Sequence, residues 1–227
     1  MPATEPFAHS FTVPEEPTTP RGQRTRAALV VAARTVFERD GFLESRVIDI
    51  TTEARCSAGT FYTYFESKEQ AFAAVLLQVK EEMLHPGLPH VPDDGDPRAV
   101  IEASTRAYLE TYQRNARLMA LMEQVANISP EFQRLRRDRG AAFVDRNARS
   151  IADLQTRGLA DPGLDPDLAS RSLSGMISRL AFFHFVVDAE LGEPSPADLD
   201  SLVSTASRLW ANALRLPESS HARPPQE

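Results

Sequence analysis

The sequence is poor in the residues that form disulfides, metal sites and membrane spans. One cysteine and five histidines occur in 227 residues, and aromatic residues make up 7% of the chain. A single cysteine excludes an internal disulfide and a zinc site built from several cysteines. No apolar run approaches the roughly 18 residues that a membrane-spanning helix needs, and the N-terminus lacks the basic start and apolar stretch of a secretory signal. These absences predict a cytoplasmic protein with no membrane contact.

The motifs that mark common enzyme and cofactor sites are missing as well. The sequence contains no H-E-x-x-H, no phosphate-binding lysine loop, no G-x-S-x-G and no dinucleotide-binding glycine pattern. His9 and His221 lie near the chain ends, and His85 and His90 occur in a proline-rich stretch without a third metal ligand. We therefore expect no catalytic residue, no metal site and no cofactor.

Charge is distributed unevenly along the chain. The net charge of −7 argues against unspecific binding to nucleic acid. Residues 21–68 nevertheless hold eight basic and six acidic side chains, so a mildly basic segment lies within an acidic chain. An excess of two charges also arises easily by chance.

Both ends of the chain have the composition of flexible segments. Residues 1–20 hold five prolines without apolar periodicity, and the chain closes on PESSHARPPQE. These features predict a disordered arm over residues 1–20 and a flexible tail over residues 217–227.

Between these ends, apolar residues repeat with the period of a helix, and we find no strand alternation. Leu29, Ala33 and Val36 share one helical face, and Gly41 ends that helix. The same reading along the chain gives about nine helices, of which three or four form a small N-terminal module. The fold class is therefore all-α.

Side chains that cap helices mark where several of these helices begin. Ser45 is the expected N-cap of the second helix, and Ser67 with Gln70 has the form of a capping box. Four further starts place a capping side chain before proline, namely Asp96-Pro97, Ser129-Pro130, Asp165-Pro166 and Ser195-Pro196.

The stretch FYTYF places four aromatic residues in five positions, 61–65. On a helix starting near Ser57, Phe61 faces inward, together with Ala58 and Phe65. Tyr64 lies near the edge of the core. The residues on or beside the outward face are mostly short and polar: Gly59, Thr60, Tyr62 and Thr63. A helix that enters the major groove N-terminus first needs such a face.

The segment GFLESRVIDITTEARCSAGTFYTYFESKEQAF resembles the N-terminal domain of the TetR family of repressors. The matching residues span the helix-turn-helix and the start of the next helix: Gly41, Phe42, Ser45, Val47, Ile50, Ala54, Gly59, Thr60, Phe61, Tyr62, Phe65, Ser67, Lys68 and Glu69. The resemblance covers about residues 21–76. It implies a helix-turn-helix DNA-binding domain over 21–66 and a ligand-binding and dimerisation domain over 67–216.

The resemblance also implies which residues contact DNA. Positions that match base contacts are Gly59, Thr60 and Thr63. Positions that match phosphate or sugar contacts are Tyr62, Tyr64 and Lys68. The further candidates, in the arm and at helix starts, are Arg21, Arg24, Thr25, Ser45, Arg46, Ser57 and Ala58.

Three residues depart from the family pattern. Arg55 lies in the turn where glycine is frequent, and a positive φ there costs about 1 kcal/mol; alternatively, its charge lies near phosphate. Cys56 replaces a small apolar core residue, where free cysteine behaves as a small hydrophobe. Tyr64 takes a position that is often histidine, which affects its exact contact.

For the C-terminal half, the resemblance implies a homodimer formed through the last two long helices and a pocket for a small molecule. Ser174, Gly175 and Ser178 leave room on one helix for a partner helix, although packing within one chain explains these residues too. The AFFHF stretch around His184 suits a pocket lining and a dimer core equally. Candidate ligand contacts are Tyr108, Tyr112, Met119, Met122, Phe143, Asn147, Met176, Arg179 and Phe183.

The resemblance thus implies a ligand-responsive transcriptional regulator, and we expect a repressor that binds a pseudo-palindromic double-stranded operator as a dimer. An effector that is apolar or resembles acyl-coenzyme A, with Arg179 meeting an acidic group, fits the candidate residues by analogy. Two alternatives are a helical scaffold protein that has lost DNA binding and a small-molecule enzyme built on the same fold.

Overall fold

The computed structural model describes residues 15–84, 96–191 and 197–218, and in these ranges the chain is helical without a strand. The elements are α1 (Pro20–Asp40), α2 (Val47–Glu53), α3 (Ala58–Tyr64), α4 (Lys68–Leu84), α5 (Pro97–Arg114), α6 (Ala116–Ala126), α7 (Pro130–Thr156), α8 (Pro166–Phe182), a π-helical turn (Phe183–Val187), α9 (Asp188–Leu191) and α10 (Leu199–Ala213). Because α8, the π-helical turn and α9 follow one another without a break, the described chain has nine helical rods, as the sequence predicts.

Several predictions fall outside the described residues. They are the disordered arm over 1–14, the proline-rich loop with His85 and His90, the Ser195-Pro196 helix start, and the tail from residue 219 onward. The described part of the predicted arm ends at Thr19, whose hydroxyl accepts from the Gly22 N–H at 3.2 Å, and α1 begins at Pro20.

The predicted caps before proline hold the starts of three helices. Asp96 accepts from the Arg98 N–H at 2.9 Å, Asp165 accepts from Leu168 at 2.8 Å, and Ser129 accepts from Phe132 at 3.4 Å. The last helix is capped by Asp198, a residue that the proline signal does not mark. Its carboxylate accepts from the Ser201 N–H at 2.8 Å, and this hydrogen bond lowers the pKa of Asp198.

The chain divides into two compact units. The first holds residues up to Glu81 together with Arg117–Asp138, and the second holds Glu82–Ala116 together with the chain from Arg139 onward. Helices α4 and α7 therefore contribute residues to both units. The functional boundary between residues 66 and 67 stays a prediction.

Aromatic side chains form the core of the first unit. The Phe72 ring centre lies 4.9 Å from that of Phe37, 5.0 Å from that of Phe42 and 5.4 Å from that of Phe132. All four side chains are buried. They join the end of α1, the turn after it, the second turn of α4 and the start of α7.

In the second unit, α5 packs against α10. The guanidinium of Arg98 donates to the Leu216 and Pro217 carbonyls at 2.7 and 2.6 Å, which holds the segment after α10 beside the start of α5. None of the helices in the three described ranges is long and apolar enough to cross a membrane.

Candidate DNA-binding interface

A left-handed turn at Arg55 joins α2 to α3. Arg55 has a φ of 52°, and the Cys56 N–H donates back to the Thr51 carbonyl at 2.9 Å while the Arg55 N–H donates to Thr52 at 3.1 Å. This pattern is the Schellman motif, whose left-handed position favours glycine. The positive φ considered from the sequence is thus present, and the turn aligns α3 at a cost of about 1 kcal/mol.

The start of α2 differs from the prediction. Ser45 is only 1% exposed, and its hydroxyl donates to the Phe42 carbonyl at 2.8 Å. The N-cap residue is Arg46, whose backbone N–H donates to the Asp49 carboxylate at 3.0 Å. The prediction that Ser45 is the N-cap of α2 was therefore wrong. Burial also leaves its hydroxyl inaccessible to a phosphate, whereas the Arg46 side chain is exposed.

Helix α3 has the predicted division between an inward and an outward face, with one correction. Phe61 and Phe65 are buried, although Phe65 already lies in extended backbone one residue beyond the helix. Ala58 is exposed and does not belong to the inward face, because the helix begins only at this residue. Gly59 and Thr63 are exposed, as predicted.

Hydroxyl groups line the N-terminal end of α3. Ser57 caps the helix by accepting from the Thr60 N–H at 3.1 Å, and the two hydroxyls lie 3.0 Å apart. Thr63 donates to the Gly59 carbonyl at 3.0 Å. Each hydroxyl oxygen has two acceptor lone pairs, so capacity remains for base edges or phosphates after these internal bonds.

Two tyrosines flank this surface, to different degrees. The Tyr62 side chain is 57% exposed, and its ring meets that of Phe61 edge-on at 5.5 Å. Tyr64 and Cys56 are both half-buried. Tyr64 thus lies at the core edge, as predicted, and Cys56 is less enclosed than the predicted core position.

Lys68 is engaged inside the protein. Its ammonium donates to the carbonyl oxygens of Phe42 at 2.8 Å, Leu43 at 3.0 Å and Ser45 at 2.8 Å, and it lies 4.9 Å from the Phe42 ring centre. Because an ammonium has three N–H donors, these bonds use all of them. Burial lowers the pKa of Lys68 from its ordinary value. These internal bonds compete with the predicted phosphate contact of this side chain, which stays a prediction.

The hydrogen bonds at the start of α4 differ in part from the predicted capping box of Ser67 and Gln70. The Gln70 N–H donates to Ser67 Oγ at 3.4 Å, as predicted. The Gln70 side chain, however, accepts from the backbone N–H of Glu66 at 2.8 Å, one residue before the expected donor. The two hydrogen bonds nevertheless satisfy backbone N–H groups on both sides of the start of α4.

Arg21, Arg24 and Thr25 lie on the first turns of α1 and not in an arm. Both arginines are exposed, while the Thr25 hydroxyl donates to the Arg21 carbonyl at 3.0 Å. The sequence analysis missed Arg26, whose guanidinium lies 5.5 Å from the Phe65 ring centre and 3.7 Å from the Glu16 carboxylate. Arg26 connects the segment before α1 with the end of α3.

The predicted ligand residues fall into both units. Met119 and Met122 are buried in the first unit, and the other seven belong to the second. There, the Tyr108 ring lies 5.5 Å from that of Phe143 and 6.0 Å from that of Tyr112, and Asn147 donates to Ser174 Oγ at 3.0 Å. The second unit thus contains an aromatic cluster next to a polar pair.

Arg179 is exposed, and its predicted contact with an acidic group of the effector stays a prediction. Its guanidinium lies 4.2 Å from the Phe183 ring centre and 5.2 Å from that of Phe182. A separate shallow cavity of about 340 Å³ is lined by residues 158–162, Arg215 and Pro217. None of the predicted ligand residues lines that cavity.

Comparison with known proteins agrees with this geometry. The profile described as "Bacterial regulatory proteins, tetR family" matches residues 29–75, which run from α1 into α4. EthR of Mycolicibacterium smegmatis is 23% identical over 217 residues, which cover 90% of this chain and 96% of that protein. UidR of Escherichia coli K12 is 24% identical over 151 residues, which cover 66% and 76%.

Solved structures share the fold. The chain resembles Salmonella enterica GusR with a TM-score of 0.69 at 18% identity, covering 88% of this chain and all of that one. It resembles SmeT, the repressor of the Stenotrophomonas maltophilia multidrug efflux pump SmeDEF, with a TM-score of 0.66 at 19% identity, covering 86% and 91%. Residues 29–75, which hold the helix-turn-helix, are thus similar to the N-terminal segment of the TetR family of bacterial regulatory proteins, and the described chain shares the fold of solved regulators of that family.

Proposed function

We propose that the chain is a repressor that binds a pseudo-palindromic operator as a homodimer in the cytoplasm and leaves it when a small, largely apolar effector binds. The observation that carries the proposal is the outward face of α3, where Gly59, Thr60 and Thr63 present no bulky side chain. A recognition helix with such a face can bring its backbone close to base edges in the major groove.

Groups around α3 supply contacts to the DNA backbone. Tyr62, Arg46, Arg21 and Arg24 are exposed. Arg46 shares its charge with Asp49, since the two side chains form an ion pair with an N–O distance of 3.2 Å. Phosphate contacts of this kind fix the register of a protein on DNA, and base contacts fix the sequence.

Exposed apolar side chains on the last helices support a homodimer. Leu168 on α8, Leu191 on α9 and Leu209 on α10 are 63%, 67% and 49% exposed, and Gly175 adds a small exposed residue on α8. Large apolar side chains that remain exposed are candidates for contact with a second copy of the chain. A dimer places two recognition helices about 34 Å apart, one helical turn of DNA.

The effector part of the proposal depends on the aromatic cluster of the second unit. Tyr108, Tyr112 and Phe143 offer ring surfaces to an apolar ligand, including the acyl part of a coenzyme A ester. An effector shifts the protein towards release only by binding the released conformation more tightly. Helix α4 reaches from the Lys68 contacts to the second unit and is the element through which such a shift is transmitted.

The test is binding to DNA upstream of the gene that encodes the chain, measured by fluorescence anisotropy with an unrelated duplex as competitor. We expect specific binding that weakens steeply between 50 and 200 mM salt, and a footprint with two protected half-sites one turn apart. Tyr62→Ala is expected to weaken binding by about tenfold. Equal affinity for upstream and unrelated DNA would contradict the proposal.

A further inference from the structure

Two arginines on one face of α7 are held away from water in the second unit. Arg139 and Arg146 are seven residues apart, so their side chains leave the helix in nearly the same direction. Arg139 is 9% exposed and Arg146 is half-buried. Phe143 lies on the same face between them.

Within residues 15–84, 96–191 and 197–218, Arg139 has no partner that matches its charge. Its Nε is buried and has no hydrogen-bond acceptor among the residues that the structure describes, and one terminal nitrogen lies 3.4 Å from the Met83 sulfur. A thioether is a weak acceptor. A guanidinium carries five N–H donors and stays charged, and burying it without a counter-charge is unfavourable.

Arg146 makes contacts that are polar but uncharged. It donates to the Leu84 carbonyl at 3.0 Å, and its guanidinium lies 5.4 Å from the Phe143 ring centre. Burial lowers the pKa of Arg146. No acidic side chain in the described part of the chain forms an ion pair with either arginine.

We infer that Arg139 and Arg146 bind the carboxylate of an acidic effector whose apolar body lies along Phe143 and Tyr108. The guanidinium fork matches a carboxylate with two parallel hydrogen bonds. The carboxylate supplies the counter-charge that both arginines lack, and the Tyr108 and Phe143 rings, 5.5 Å apart, supply the adjoining apolar surface. The inference rests on the proposed function and narrows its effector to small carboxylates with an apolar part.

The proposed site also connects a bound effector to the end of α4. The Arg139 guanidinium contacts Met83, and the Arg146 guanidinium donates to the Leu84 carbonyl, which the helix end leaves without an intrahelical partner. A carboxylate that engages the two arginines competes for these donors. Occupation of the site therefore weakens the contacts that hold the end of α4.

The test uses the full chain and two carboxylates with different bodies, decanoate and 4-phenylbutyrate, with decanol as the uncharged match. Calorimetric titration at constant ionic strength is expected to show saturable binding of at least one acid below 1 mM and none of decanol. Arg139→Met is expected to weaken binding of that acid at least tenfold. Arg149→Met, which removes an exposed charge from the same helix, is expected to leave it unchanged.

Thermal unfolding separates a ligand site from a structural one. Because Arg139→Met removes a buried charge and keeps an apolar stem, we expect its melting temperature without ligand to equal or exceed that of the wild type. A large drop, saturable binding of neither acid, or equal binding by Arg139→Met would overturn the inference. Operator binding is measured in parallel: a chain that binds operator but neither acid refutes only the carboxylate site, and a chain that binds no operator refutes the proposed function.

Discussion

The ammonium of Lys68 lies 2.8 Å from the carbonyl oxygen of Phe42, a residue 26 positions earlier in the chain. With two further bonds to Leu43 and Ser45, this contact ties the first residue of α4 to the turn between α1 and α2. The position of α2, and with it the position of α3, depends on that turn. We therefore expect Lys68 to act on DNA binding by positioning α3, through its bonds to this turn, and not by contacting phosphate.

Replacing Lys68 by methionine distinguishes these two roles. The stem over Phe42 is kept and the hydrogen bonds are lost, so we expect the free energy of unfolding to fall by about 2 kcal/mol. The slope of log affinity against log salt should stay that of the wild type, because no phosphate contact is removed. Lys80→Met, the same change further along α4, is the control. If stability is unchanged and the slope of log affinity against log salt falls by about one, Lys68 contacts phosphate.

Arg55→Gly tests the strain in the turn before α3. Glycine adopts the positive φ without strain, so we expect a stability gain of about 0.5–1 kcal/mol in chemical denaturation. Arg55→Ala removes the same charge but keeps the Cβ, and it should give no such gain. Both variants are also compared in DNA binding. If the two show the same loss of DNA affinity and the same decrease in the salt dependence of binding, the charge of Arg55 contacts phosphate.

Some of these relationships follow from the sequence and others do not. Phe61 and Phe65 were correctly placed in the core because helical period and side-chain size agree there. The burial of Ser45 and the contacts of Lys68 depend on residues more than twenty positions apart, which local periodicity does not register. Arg139 occurs in the charged run RLRRDRG, which predicts an exposed helix surface. Its burial depends on the packing of α7, which the sequence pattern does not show.

The cap of α2 predicts a pH effect. The hydrogen bond and charge of Arg46 lower the pKa of Asp49 in the folded protein. The carboxylate therefore contributes stability above the unfolded pKa of about 3.9, and this contribution disappears as pH falls through the lower folded pKa. Between pH 6 and pH 2.5, the melting-temperature gap between wild type and Asp49→Asn should close. A gap that stays constant, or an equal one for Asp138→Asn, would argue against this cap.

The proposed dimer surface is tested by Leu209→Glu. A charge at the centre of an apolar interface remains desolvated and unpaired, so we expect the variant to sediment as a monomer at concentrations where the wild type is a dimer. Val31→Glu introduces the same change at an exposed position of α1 and should not alter association. Dimerisation of the Leu209 variant at wild-type strength would place the interface elsewhere.

The most direct test of the central claim is the affinity of Gly59→Ala for the operator. A methyl group at Gly59 meets only Ser57 Oγ, at an ordinary 3.7 Å, so the free protein accepts it. Alanine favours the helix over glycine by about 1 kcal/mol. If α3 approaches base edges at this residue, the variant will be at least as stable as the wild type yet bind the operator at least tenfold more weakly. Gly140→Ala, with open space on α7, will bind as the wild type does. A Gly59→Ala protein with wild-type affinity would contradict the assignment of α3 as the recognition helix.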